Sequence, residues 1–287
     1  MILDSLEHIC KECEEQHKDF AQIVIEAEVK QTRLSVEEVR NKMLLTWKAM
    51  LEADKTYDPT LMSRSGLSGC DGGKFERYAD VSGAKTICGD FISKVIAAAL
   101  KMAESNACMK RIVASPTAGS CGVLPAVLVP LYKNNSFSEE KIIDGLFVSA
   151  GIGQVIAERA SISGAQGGCQ AEIGAASAMA AGTLVYLYGG DSKQICAAIG
   201  YALQNLLGLV CDPVAGLVEV PCVKRNVIGA VNACSCADMA LAGIMPHIPA
   251  DEVIDAMKRV GDKMDPSLRE TGLGGLAATK TGKLIKI

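Results

Sequence analysis

The chain has 287 residues, 49% of them apolar and 22% charged, which is ample for one well-cored domain. Its formal charge of −4 argues against nucleic acid as a partner, because phosphate binding needs a basic surface. Twelve cysteines do not fit a disulfide framework, which belongs to small secreted domains.

The N-terminus, Met1-Ile2-Leu3-Asp4, meets acidic residues at once and lacks the positive start of a secretory signal, so none is expected. Residues 1–57 are the most charged and read as a helical cover. Within them Ser35-Val36-Glu37-Glu38 fits a capping box, with Ser35 as N-cap and Glu38 three residues on. Val36, Val39, Met43, Leu44, Trp47, Met50 and Leu51 then recur at helical spacing.

Residues 58–287 read as one continuous core. Segment 63–74 holds four glycines in twelve residues and is expected to be a loop, either a surface connection or a backbone cradle for a small ligand. A helix over 87–104 follows, then a second punctuated stretch, Ser115-Pro116-Thr117-Ala118-Gly119-Ser120-Cys121-Gly122. Further helices are expected over 138–158, 171–188, 192–209, 222–243 and 250–264. Aromatic residues are only 4%, whereas glycine reaches 28, so the helices must pack through aliphatic groups and close backbone approach. Alternating strand patterns are nearly absent, and the expected fold is all-α. The charge-poor stretches 112–132, 173–190 and 194–211 are broken by Pro, Gly and polar residues. They read as buried helices, not membrane spans.

Three cysteines stand apart by context. Cys169 precedes a predicted helix in Gly167-Gly168-Cys169-Gln170-Ala171-Glu172. Cys211 follows one in Val210-Cys211-Asp212-Pro213, and Cys222 begins another in Val220-Pro221-Cys222. Helix boundaries suit metal ligands, because a helix N-terminus favours thiolate over thiol. Three thiolates fall short of the four ligands of a structural zinc site. On a [4Fe–4S] cluster they leave one iron open. The spacings of 42 and 11 residues are no recognised metal signature by themselves. Cys10-x-x-Cys13 and Cys234-x-Cys236 read as ordinary packing, and Cys121 is a reserve ligand. His8, His17 and His247 lie in peripheral segments, so the general base is not expected from a histidine of this chain.

At these residues the sequence resembles the alpha chain of the bacterial iron–sulfur-dependent L-serine dehydratases. The likeness rests on Ser115-Pro116-Thr117-Ala118-Gly119, Gly168-Cys169-Gln170-Ala171-Glu172-Ile173-Gly174, the run from Cys211-Asp212-Pro213 to Val220-Pro221-Cys222, and Arg225-Asn226. The glycine-rich 63–74 loop and the 268–277 tail belong to it too. The resemblance implies an all-helical catalytic domain that carries a [4Fe–4S] cluster on Cys169, Cys211 and Cys222 and turns L-serine into pyruvate and ammonia. It also implies a beta chain as partner, because single-chain relatives carry a further domain with a Ser-Ser-His-Thr motif that these residues lack. A cytoplasmic setting goes with it.

Dehydrating serine requires removal of a Cα proton and loss of hydroxide. No lysine context suits pyridoxal phosphate, so that cofactor is not expected. Lys74 is a candidate base if it is desolvated, with a base on the beta chain as the rival. Ser65 and Gly66 in the first loop, and Ser115, Thr117 and Gly119 in the second, are candidates to grip the substrate carboxylate. Arg225 and Asn226 are candidates to hold substrate or support the cluster ligands. A cysteine desulfidase-like lyase and a non-catalytic iron–sulfur subunit are the alternative readings.

Overall fold

The structure is a computed structural model that describes residues 3–81 and 86–285. Among them no strand forms; the only ladder contacts are isolated bridges, Met62 with Gly69 and Cys211 with Arg269. The expected all-α class is what the chain adopts.

Three helices, α1 (Leu6–Gln16), α2 (Phe20–Thr32) and α3 (Val36–Lys55), make up the N-terminal part. Ser35 and Glu38 form the expected capping box, each side chain accepting from the other's backbone N–H. On α3 the side chains of Val39, Trp47 and Met50 are buried, whereas Val36 is exposed at the first turn. These helices pack on α5 (Gly89–Ala107), α7 (Glu139–Arg159) and α10 (Ser192–Gln204), and Ile9, Ile23 and Trp47 join the same core as the later helices.

The centre of the molecule is α9 (Ala175–Leu187), in which every residue is buried. A helix apolar on all sides must be surrounded, and α9 is, by α6 (Val123–Lys133), α7, α10 and α11 (Cys222–Leu241). Its polar side chains satisfy themselves on carbonyls. Ser177 Oγ donates to Gly229 O at 2.7 Å, and Thr183 Oγ1 donates to Met179 O at 2.8 Å and Gly145 O at 3.1 Å. Of the charge-poor stretch 112–132, only the second half proves to be a buried helix, α6, despite Pro125 and Pro130; the first half is irregular apart from a single tight turn at Ala118–Ser120.

Three expected boundaries move. The helix expected over 192–209, α10, stops at Gln204. The glycine-rich loop ends early, because α4 (Asp71–Asp80) already contains Gly72, Gly73 and Lys74. The helix expected from 171 begins as a five-residue π turn, Gln170–Gly174, before α9 proper. The short α8 (Gly164–Gly167) leads into that turn, and α12 (Ala250–Lys263) packs across it.

Candidate functional site

The π turn positions Cys169. Gly168 precedes it with φ +75°, and a Cβ there would lie 2.9 Å from Leu209 O, so only glycine lets the chain pass this close. Gln170 N then donates to Leu209 O at 2.9 Å, while the Gln170 side chain accepts from Gly208 N at 2.9 Å and donates to Met257 O at 3.0 Å. These bonds stitch the Cys169 segment to the segment leading to Cys211. π turns concentrate at functional sites because they re-aim one side chain within a helix.

Cys211 is fixed from the other side. Its N–H donates to Leu268 O at 2.8 Å, and its carbonyl accepts from Glu270 N at 2.7 Å. Asp212 Oδ2 accepts from Leu276 N at 2.7 Å, so the C-terminal tail clasps the Cys211–Asp212 pair. Cys222 is the first residue of α11, and all three cysteines are buried.

Cys169, Glu172 and Cys211 bring their ligand atoms within 4.8 Å of one another. Cys222 falls outside that set, yet it is near enough for charge on Cys169 to bear on it. Burial, then that charge, push its thiol up to about 12. The neighbouring Cys211 thiol and the Arg225 guanidinium hold Cys169 below the ordinary thiol range, and Cys211 is correspondingly raised. Arg225 Nη1 lies 3.4 Å from Cys169 Sγ and donates to Val210 O at 2.7 Å, while Nη2 pairs with Asp212 Oδ1 at 2.8 Å. One guanidinium therefore ties the Cys169 sulfur to the Val210–Asp212 segment that carries Cys211.

Glu172 is the acid at the centre. Burial raises its pKa, partly offset by Thr117, whose Oγ1 donates to Glu172 Oε1 at 2.7 Å. A side chain at Gly164 would run into Glu172 Oε2 and Cys211 Sγ, at 2.7 and 3.2 Å, so the absence of one makes room for both groups.

The 115–122 segment packs against Glu172 and Asn226. Ser115 is buried at its start, and Gly119 passes its carbonyl to Asn226 Nδ2 at 2.8 Å. Buried Asn226 also donates to Cys222 O at 3.0 Å and accepts from Gly122 N at 2.8 Å. It is a brace between the loop and the Cys222 turn. The 63–70 loop also hangs on that turn. Ser63 Oγ donates to Glu219 Oε2 at 2.6 Å and Ser65 Oγ donates to Glu219 Oε1 at 2.8 Å, with Gly66 exposed at the tip, φ +75°.

Lys74 is not brought into this arrangement. It is exposed on the first turn of α4, and the desolvation its role as base requires is not supplied by this chain. Cys121 is not a ligand in reserve either: it packs with Ala53 and Met102 in a separate buried cluster, its thiol pushed up to about 12 by burial. His17 and His247 are exposed, and His8 pairs with Asp4 on α1. Sequence reasoning missed Glu172, Asp212 and Glu219 as working residues. All three stand inside the cysteine-bearing motifs, but their partners lie far away in the chain.

Fold and site together define an all-helical protein with a buried, cysteine-rich candidate metal centre. A family model described as "Serine dehydratase alpha chain" matches residues 15–277. The L-serine dehydratase alpha chain of Peptoniphilus asaccharolyticus is 44% identical over 285 residues, 99% of this chain and 97% of that protein. A probable L-serine dehydratase alpha chain of Bacillus subtilis is 46% identical over 264 residues, covering 92% and 87%. The L-serine dehydratase TdcG of Escherichia coli is 46% identical over 181 residues, 62% of this chain but 40% of that protein. This chain belongs to the serine dehydratase alpha chain family.

Proposed function

We propose that this chain is the alpha subunit of an L-serine ammonia-lyase, a dehydratase that converts L-serine to pyruvate and ammonia. The observation that carries the reading is the convergence of Cys169 and Cys211 with Glu172 and Arg225 in a buried centre, in a chain that matches dehydratase alpha chains along nearly its whole length. The cofactor we assign is a [4Fe–4S] cluster held by Cys169, Cys211 and Cys222. The donor set fits it. Three buried thiols are one short of a closed zinc site, and a cluster of several irons holds its ligands farther apart than a single ion does, which accommodates Cys222 outside the tighter set. When bound, such a cluster supplies a Lewis-acidic iron without a protein ligand, suited to a hydroxyl leaving group.

The chain's own residues prepare the pocket. Arg225 favours thiolate at Cys169 and locks the two cysteine-bearing segments together. Glu172, aimed by Thr117, brings its carboxyl group within 4.8 Å of the Cys169 and Cys211 sulfurs and is able to hold a proton because burial favours its neutral form. We assign the substrate carboxylate to the two loops that carry Ser65, Gly66, Ser115, Thr117 and Gly119; Ser65 Oγ and Thr117 Oγ1 donate to Glu219 and Glu172 in the structure, so on this reading they exchange those partners for substrate. With Lys74 exposed, the base for the Cα proton is assigned to Glu172 or to a beta chain, which we place over the mouth of this site as the second subunit. Among the described residues no helix is long and apolar enough to cross a membrane; the setting we assign, by likeness to the family, is cytoplasmic.

Anaerobic reconstitution with iron and sulfide, with and without beta chain, tests the reading. Serine should yield pyruvate, and Cys169→Ser, Cys211→Ser and Cys222→Ser should each lose the cluster's visible absorption and the activity together. Full turnover by a metal-free preparation, or by any of the three variants, would sink it.

A further inference from the structure

The Cys10-x-x-Cys13 pair of the sequence is not a pair in the fold. Cys13 turns into the hydrophobic core, and burial pushes its thiol up to about 12. Cys10 faces α10 instead, where its Sγ lies 3.0 Å from Cys196 Sγ, 186 residues along the chain. Two sulfurs that merely pack do not approach so closely. Both residues are half-buried, and Cys10, the less enclosed of the two, is the sulfur a small oxidant meets first. The pair is separate from the candidate metal centre: beyond each other, the hydrogen bond found for either thiol among the described residues is from Cys10 to Ser192 O, at 3.4 Å.

We propose that Cys10 and Cys196 are a redox-modification site that closes to a disulfide when the protein meets a peroxide, pinning α1 to α10. Either sulfur can be the donor of this contact; with Cys196 donating, the Cys10 thiol is held below its ordinary range and Cys10 acts as the nucleophile. Its sulfur attacks one peroxide oxygen; the S–O bond forms, the O–O bond breaks, and hydroxide leaves. The Cys196 sulfur then attacks the Cys10 sulfenic acid, forming the S–S bond and expelling the hydroxyl, which takes the remaining thiol proton as water. Two thiols and one hydrogen peroxide thus become one disulfide and two waters, the thiols giving up two electrons. The surroundings are built for a fixed approach. The Asp251 carboxylate on α12 accepts from Leu6 N and Glu7 N, at 3.0 and 2.9 Å, and holds the N-terminus of α1 against the body. A bond closing so long a loop also constrains the unfolded chain strongly.

The test uses the full-length protein, prepared anaerobically, then treated with stoichiometric hydrogen peroxide, alkylated and mapped without reduction. Cleavage after Lys11 separates Cys10 from Cys13, and cleavage after Tyr201 separates Cys196 from Cys211. The expected product is a linked Cys10–Cys196 peptide lighter by two hydrogens than its reduced parts. The oxidised wild type should melt at higher temperature and return on treatment with dithiothreitol. Cys10→Ser and Cys196→Ser should show no such shift while keeping basal activity. Alkylation of both cysteines after peroxide treatment, a Cys10–Cys13 link, or stepwise oxidation of Cys10 without linkage would overturn the proposal, and the wild-type mapping decides it even if a variant folds poorly.

Discussion

Arg225 shows what one residue decides here. Its planar fork reaches Val210 O, Cys169 Sγ and Asp212 at once, and the short point charge of a lysine cannot reproduce three directions. Groups that orient metal ligands without touching the metal typically matter about 10–100-fold in affinity. On the proposed function, Arg225→Lys should retain about 10-fold less iron per chain after anaerobic reconstitution and dilution. Its far-ultraviolet circular dichroism should stay that of the wild type. Retention equal to wild type would show the fork to be dispensable. The residue scale is also where reading from sequence reached its limit. Cys169, Cys211 and Arg225 announce themselves through helix boundaries and motif, but Lys74, singled out by a glycine-rich context, ended up on an exposed helical turn. A loop composition says that the backbone bends, not where the next helix starts.

Among the elements, α4 is the one whose start the sequence conceals. Cys70 stands at its N-cap in a left-handed conformation with no side-chain cap. The acceptor comes from α5: buried Glu104 accepts from Asp71 N at 2.9 Å, Gly72 N at 3.1 Å and Tyr57 Oη at 2.7 Å. A carboxylate at a helix N-terminus meets both the free amides and the positive end of the dipole. Burial and the Glu104 carboxylate raise the Tyr57 pKa, so its hydroxyl stays a donor. Glu104→Ala should strand two amides and a phenol, lowering stability by roughly 2–4 kcal/mol. A lower urea midpoint and faster hydrogen exchange at 71–74 would report it, with Glu104→Gln recovering part of the loss. An unchanged midpoint would mean that water replaces the cap at no cost. By contrast, the Ser35–Glu38 box of α3 was legible, because both partners lie within one turn of the chain.

At the scale of the molecule, stability rests on small side chains around α9. Ala175, Ala176, Ala178, Ala180 and Ala181 are all fully buried or nearly so, and four neighbouring helices close on them. Such a core has little slack for added volume, since interiors are packed like crystals. Ala180→Leu should therefore cost about 1–3 kcal/mol or more through displaced neighbours, seen as a lower thermal midpoint. Val36→Ala, at an exposed position, should leave the midpoint within about 0.5 kcal/mol of wild type. Equal midpoints for the two would mean that the space around α9 is loosely filled.

What the chain specifies by itself is local: helical periodicity, the Ser35 cap, the low-charge helices that must be buried, and the short cysteine-bearing motifs. Each follows from residues within a few positions of one another, where spacing and side-chain chemistry suffice. The tertiary structure alone decided that Cys211 meets Cys169 and Glu172, that the tail clasps Cys211, and that Cys10 meets Cys196 instead of Cys13. Those juxtapositions join residues tens to hundreds of positions apart. They depend on how whole helices cross, which no local pattern encodes.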